Sequence, residues 1–292
     1  MLAEAQATAS VAHPNVASVF DYGEWALPDG STVPYVVMEL LAGPTLAQCL
    51  DAGPLETQAA LRIATEVAAG LAAAHNVGLV HRDVKPSNVV LSPTGAKLVD
   101  FGIAAVAGEP DGVDADGHVM GTLPYLPPER LRPGVAVPAA DIYGWGVLLG
   151  QMLTGRPPWS ADATPAQRAG LIQRGEPLPA VPVEVDLVFR RCLEPDPSRR
   201  PTAHEVAAVV SAAAGIQLAP NVPPRGGPPS ASAAVTAHLT PRLPEYGAWP
   251  PPDTHRPRHV RRWARECAWR RPHPRTHRRH PLRGRAHLSG SR

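Results

Sequence analysis

Lysine is nearly absent from this chain. In 292 residues it occurs only at Lys85 and Lys97, and the remaining permanent cations are arginines. Cysteine is almost as scarce: Cys49, Cys192 and Cys267 are odd in number and far apart. That excludes a disulfide framework and a paired-cysteine zinc site, and it predicts a reducing, cytoplasmic setting. No run of about 18 apolar residues occurs, so a membrane span is not expected. No basic flank followed by an apolar core opens the sequence, so a signal peptide is not expected either. Aromatics are only 5% of residues, and the stretch from Phe101 to Gly121 holds no serine, threonine or tyrosine at all. Net charge is only +2, but half of the 28 basic residues crowd into the last fifth of the chain.

What remains suffices for a core. Apolar residues make up 44%, and the length allows one large domain or two ordinary ones. Leu2 to Ala12 reads as a helix of small apolar residues carrying Glu4. It ends at His13-Pro14-Asn15, since proline disfavours helix in the residue before it. Val16 to Tyr22 and Val33 to Leu40, around Pro28-Asp29-Gly30, predict an antiparallel hairpin. Leu55 to Asn76 is the clearest helix: Ala60, Ala64, Val67, Leu71 and Ala74 alternate steps of four and three along one apolar stripe. Val89 to Leu91 and Ala96 to Val99 form a second hairpin around Ser92-Pro93-Thr94-Gly95, in which Lys97 reads as a solvated strand residue. After Gly215 no period survives, and an Arg/His/Pro-rich end follows, so residues 216–292 are predicted to be disordered. That basic tail has the charge for weak binding to nucleic acid or an anionic surface.

Between the long helix and the second hairpin runs His81-Arg82-Asp83-Val84-Lys85-Pro86-Ser87-Asn88-Val89-Val90. Asp83 can accept a hydroxyl proton, Lys85 can neutralise a phosphoryl oxygen, and Asn88 can hold a metal ion. Asp100 adds a second carboxylate at the far end of the hairpin, with Phe101-Gly102 behind it. Phosphoryl transfer asks a protein mainly for positioning and charge compensation, which such a set supplies.

The string resembles the catalytic loop and metal-binding motif of protein kinases, and Lys85 two residues after Asp83 is the serine/threonine form. The likeness covers residues 1–215 and is to the bacterial, eukaryotic-like serine/threonine kinases. It implies an α+β, two-lobed fold: an incomplete N-terminal lobe in 1–40 and a mainly α-helical C-terminal lobe in 41–215, with the disordered tail beyond. It implies ATP and Mg2+ as cofactors and a protein substrate phosphorylated on serine or threonine. Asp83 would be the base, Lys85 the phosphoryl stabiliser, and Asn88 and Asp100 the magnesium ligands. Met38, Glu39, Leu41 and Val90 would surround adenine, and His81 would be structural.

The resemblance reaches further residues. Glu4 matches the small-lobe glutamate that pairs with a third-strand lysine. Thr122, in Gly121-Thr122-Leu123-Pro124-Tyr125-Leu126-Pro127-Pro128-Glu129, would bond near Asp83 and Lys85, and Asp141 would hold the catalytic loop from below. Glu129 would pair with Arg200 of Pro195-Asp196-Pro197-Ser198-Arg199-Arg200-Pro201-Thr202. Arg82 is the cation that an activation-loop phosphate normally meets. That loop here has only Glu109, Asp111, Asp114 and Asp116 to offer, so either one of these acids takes over the pairing or the loop is acidic and mobile. The family's glycine-rich loop and strand lysine would precede Glu4, so the chain is expected to be an N-terminally truncated kinase domain. The alternatives are a catalytically inactive, pseudokinase-like binding module and a nucleic-acid-associated protein.

Overall fold

The computed structural model describes residues 11–27, 31–101, 105–106, 108–112, 122–160, 162–174 and 178–217. Several expectations lie outside the described residues: the helix carrying Glu4, the 28–30 turn, Gly102, Asp114 and Asp116, and the tail with its disorder and nucleic-acid binding.

Strands β1 (Val19–Ala26) and β2 (Thr32–Met38) pair antiparallel. The first strand starts later than its sequence suggests. Val16 is drawn instead into a lone parallel bridge with Leu98, because Asn15 and Ala17 exchange backbone hydrogen bonds with Leu98 at 2.9 and 2.8 Å. The ribbon carries Phe20, Trp25, Val33, Tyr35, Val36 and Val37 exposed. Beyond it comes a short helix, α1 (Leu46–Leu50), whose Thr45 and Gln48 close a reciprocal capping box.

The core is helical. Helix α2 (Thr57–Asn76) is capped by the Glu56 carboxylate, which accepts from the Ala59 N–H. Its stripe of Ala60, Ala64, Val67, Leu71 and Ala74 is buried, and so are Leu61, Ile63 and Ala68 beside it. Three short pairs follow: β3 (Leu79–Val80) with β6 (Ala105–Val106), β4 (Val89–Ser92) with β5 (Gly95–Leu98), and β7 (Pro110–Asp111) with β8 (Gly134–Val135). The remaining helices are α3 (Pro138–Thr154), α4 (Pro165–Arg174), α5 (Val183–Cys192) and α6 (Ala203–Ala214). Helix α2 packs against α6, α3 and β5, which is why its buried face is wider than one stripe. Trp145 of α3, fully buried, donates its indole N–H to the Ala64 carbonyl at 2.9 Å and joins the two long helices. At Gly144 an added Cβ would lie 3.1 Å from Val84, so glycine lets α3 run close under the 81–88 loop. No helix among the described residues is long and apolar enough to cross a membrane.

Lys97 is not solvated, contrary to the strand reading. Its ammonium lies 2.7 Å from Glu39, whose Oε1 also accepts the Ser18 N–H at 3.0 Å. A two-stranded ladder leaves one face open, and here the segment following β2 comes across that face.

Arg200 fastens the far end of the fold. Its fully buried guanidinium meets Glu129 through two bonds of 2.6 and 2.8 Å and donates to the carbonyls of Ala139 and Glu194. It also lies 4.9 Å over the Tyr143 ring. Removing one member of a buried pair strands the other charge, at a cost of about 3–5 kcal/mol. Arg200→Ala should therefore lose stability of that order in urea unfolding with little change in m. A loss below about 1 kcal/mol would mean that the pair is a surface contact in all but position.

Candidate active site

The 81–88 loop is shaped by one carboxylate beneath it. Asp141, at the start of α3 and fully buried, accepts the backbone N–H groups of His81 and Arg82, each at 2.8 Å, and a bond from His75 Nε2 at 2.8 Å. Burial pushes this carboxyl up, but the His75 bond and charge, with His81, overrule it and hold Asp141 below the usual value. Satisfying Asp141 sets Arg82 in the left-handed region, φ 69°, uncommon for a residue other than glycine. His81 is buried against Phe101, with ring centroids 4.4 Å apart. Its Nε2 faces the Val99 carbonyl at 3.1 Å while Nδ1 accepts the Asp83 N–H at 3.3 Å, so the neutral ring satisfies both sides. Burial, outweighing nearby carboxylates, keeps it below its ordinary value.

On the upper side of the loop the side chains converge. Asp83 Oδ2 lies 2.5 Å from the Lys85 ammonium and accepts from Asn88 Nδ2 at 3.0 Å, and Oδ1 accepts from Thr122 Oγ1 at 3.2 Å. Lys85 in turn donates to Thr122 Oγ1 at 2.9 Å. Every contact of the Asp83 carboxylate is as an acceptor. A groove of about 430 Å³ opens beside it, lined by Asp51, Lys85, Ser87, Thr122, Tyr125 and Gln151 among others. Tyr125 bonds to Gln151 there, and burial pushes its phenol up to about 12, leaving a neutral hydroxyl.

The remaining predicted residues surround this cluster. Asn88 gives its amide nitrogen to Asp83, also reaching the Asp83 carbonyl at 2.9 Å, while its Oδ1 accepts from Ser87 Oγ at 3.3 Å. Asp100 ends the β4–β5 hairpin, exposed, at φ 62° and with no hydrogen bond or ion pair to a described residue. An amide oxygen and a free carboxylate are hard oxygen donors of the kind Mg2+ takes. The described residues offer no cluster of three or more His, Cys, Asp or Glu that could hold a metal alone. Met38 is exposed, while Glu39, Leu41 and Val90 are partly covered. Glu39 donates its own N–H to the Ser18 carbonyl at 2.9 Å, but its carbonyl and the Leu41 N–H bond to no described residue.

Some residues that shape the site escaped the sequence reading. Buried Arg168 donates to the carbonyls of Leu123, Leu126 and Ala163 and lies 5.4 Å over the Trp159 ring, while Trp159 donates to the Pro124 carbonyl at 2.9 Å. Together they hold the segment bearing Thr122. Buried Arg130 donates to the Arg82 carbonyl and lies 3.0 Å from Asp111, which is also 3.4 Å from Arg82. Of the four acids weighed for Arg82, Asp111 is thus the one placed beside it. Arg130 directly follows Pro128-Glu129, the only signal that could have drawn attention to it.

The protein kinase domain family matches residues 1–209. The chain is 36% identical over 205 residues to the serine/threonine-protein kinase PknB of Mycobacterium leprae, covering 68% of this chain and 33% of that protein. It is 37% identical over 252 residues to the serine/threonine-protein kinase PksC of Streptomyces coelicolor, covering 82% and 45%. To the serine/threonine-protein kinase PrkC of Bacillus subtilis it is 34% identical over 218 residues, covering 72% and 33%. The chain thus spans between a third and a half of the length of these relatives.

The electrostatics of the loop predict a pH response. His81 has a folded pKa below 6.5, so its contribution to stability is complete above that pH and is lost as pH falls through the lower folded value. Asp141, depressed below 3.8, behaves likewise at more acid pH. The urea midpoint should fall from pH 7 to pH 5, and His81→Phe should flatten that part of the slope while leaving the steeper loss below pH 4. An unchanged slope between pH 7 and 5 would assign the titration to another group, such as half-buried His13.

Proposed function

Because this chain belongs to the protein kinase family, we propose that it transfers the γ-phosphoryl group of ATP to a serine or threonine hydroxyl of a protein substrate. The observation that carries this reading is the convergence of Asp83, Lys85, Asn88 and Thr122 within hydrogen-bonding distance of one another beside an open groove.

In this mechanism the acceptor segment lies in the groove and presents its hydroxyl to Asp83. Asp83 takes the proton as the hydroxyl oxygen bonds to the γ-phosphorus, the bond to the β-phosphate oxygen breaks, and ADP leaves with that electron pair. Lys85, held by Asp83 and Thr122, places its positive charge beside the transferring group. Asn88 and Asp100 would hold Mg2+, which supplies charge neutralisation on the phosphates. Adenine would lie along residues 38–41, where the Glu39 carbonyl and Leu41 N–H offer one acceptor and one donor. Val90 would form the apolar floor.

One observation favours a second reading, binding without turnover. Both lysines of the sequence are engaged, Lys85 with Asp83 and Thr122 and Lys97 with Glu39, so neither is free to grip the α- and β-phosphates.

The two readings separate in one experiment. The purified chain is incubated with Mg2+ and ATP labelled at the γ-phosphate, with a serine- and threonine-rich acceptor protein. Transfer that falls about 10²- to 10⁴-fold in Asp83→Asn supports the kinase reading. A rise in melting temperature with Mg-ATP but no transfer supports the binding module, and the absence of both sinks the nucleotide site altogether.

A further inference from the structure

The groove beside the catalytic loop has one charge that the phosphoryl-transfer chemistry leaves unused. One of its walls is α1, which packs on the 86–88 turn of the loop, and another is made by Thr122, Tyr125 and the end of α3. The two sides are fastened to each other. The Leu55 N–H donates to the Met152 carbonyl at 2.8 Å, and Gly155, at φ 81°, passes so close to Pro54 that an added Cβ would lie 3.1 Å from it. The Tyr125 hydroxyl donates to Gln151, so two of the polar side chains on the lining are spent on each other. The groove is thus a fixed trough of about 430 Å³.

Asp51 and Lys85 bring the charges to that lining. The Lys85 ammonium is already met by the Asp83 carboxylate and Thr122. Asp51 is exposed at the C-terminal end of α1, and its carboxylate makes no hydrogen bond or ion pair to a described residue. A negative charge there gains nothing from the helix, whose last carbonyls are themselves partly negative. No cation lies near it along the chain either: residues 1–61 hold seven Asp and Glu and no Lys or Arg. Arg156, which follows Gly155, is exposed and stands outside the lining. The wider balance has the same sign, since residues 1–215 carry 23 acids against 13 lysines and arginines. A cleft with one uncompensated sign gathers ligands of the opposite sign.

We propose that Asp51 is a specificity-determining residue, and that the groove takes serine or threonine segments carrying an arginine or lysine close to the acceptor. The proposal rests on the kinase reading of Asp83, which receives the hydroxyl while the neighbouring cation reaches along the groove to the Asp51 carboxylate. Arginine suits that carboxylate better than lysine, because its planar fork can give two parallel bonds. A glutamate or aspartate in the same place meets Asp51 with like charge, and Lys85 cannot compensate because Asp83 already holds it. Asp51 is open to solvent, so the preference is modest, about fivefold, and weakens as salt screens the pair.

The test uses the full chain and a set of serine peptides that carry arginine, glutamine or glutamate at one flanking position at a time, on either side of the serine. For the wild type, kcat/KM with arginine at the best position should exceed that with glutamine about fivefold, and added sodium chloride should shrink the ratio. Asp51→Asn should bring the ratio close to one. Asp51→Arg should invert the order, so that the glutamate peptide becomes the best of the three, an outcome that a merely structural role of Asp51 would not give. A wild-type preference for glutamate at every position, or an arginine preference that both variants keep, overturns the proposal. Asp51 is exposed, so neither variant removes a packed side chain; if Asp51→Arg melts lower than the wild type, Asp51→Asn decides alone. Peptide affinity is measured in parallel by fluorescence anisotropy with Mg-ATP present. If no protein transfers phosphate, the kinase reading fails, and the same ratios and the same inversion, read in Kd, still decide the role of Asp51.

Discussion

A buried charge is tolerable only when its neighbours satisfy it, and the Asp141 carboxylate is the buried charge on which the site depends. It has three donors, two of them backbone N–H groups of consecutive residues. For both N–H groups to point at one carboxylate, the chain must turn sharply, and it does so by placing Arg82 at φ 69°. That turn sends consecutive side chains in different directions. Arg82 goes toward Asp111, and Asp83 goes toward Lys85, Asn88 and Thr122. The strained residue and the converging cluster are two consequences of one electrostatic requirement.

Four aspartates around this loop have four different surroundings, and those surroundings separate their roles. Asp141 is fully buried and satisfied from three sides, so it can serve only as a brace. Asp83 is mostly covered and accepts from Lys85, Asn88 and Thr122, of which Lys85 and Thr122 line a groove. Asp100 is exposed and free of described partners, available to a cation. Asp111 is enclosed by arginines that leave it no access to solvent chemistry. Residue type alone assigns none of these parts. What decides is which donors reach each carboxylate, and from how dry a place.

Legibility in the sequence followed the range of the interactions. Helix α2 could be read because its apolar stripe recurs within one element, and the grouping of Asp83, Lys85 and Asn88 because they are neighbours along the chain. The Glu129–Arg200 pair was visible only through resemblance, since nothing local marks two charges so far apart. Lys97 was misread because alternation in a hairpin says which face a side chain occupies but not what later covers that face. Arg168 and Arg130 were invisible for a related reason: their partners include backbone carbonyls of distant segments, which leave no pattern of residue types. The capping box of Thr202 and Glu205 at the start of α6 was a local signal that went unused. The strand limits of β1 failed where a tertiary bond to Leu98 outcompeted the hairpin for Val16.

The same competition for backbone groups bears on how the segment after β2 would meet the nucleotide proposed for it. An isolated two-stranded ribbon is marginal in water, and here its base is fixed by Glu39. The Glu39 carboxylate takes the Ser18 N–H and the Lys97 ammonium, while its own N–H goes to the Ser18 carbonyl. Glu39 Oε1 thereby helps to hold β1, β2 and β5 together. The Glu39 carbonyl bonds to no described residue, and neither does the Leu41 N–H two residues on. An acceptor and a donor on extended backbone match the edge of a planar heterocycle whatever side chains flank them. Recognition of adenine at 38–41 would then belong to the main chain, with Met38 and Val90 supplying only apolar shape. The ion pair between Glu39 and Lys97 becomes what keeps that main chain in place.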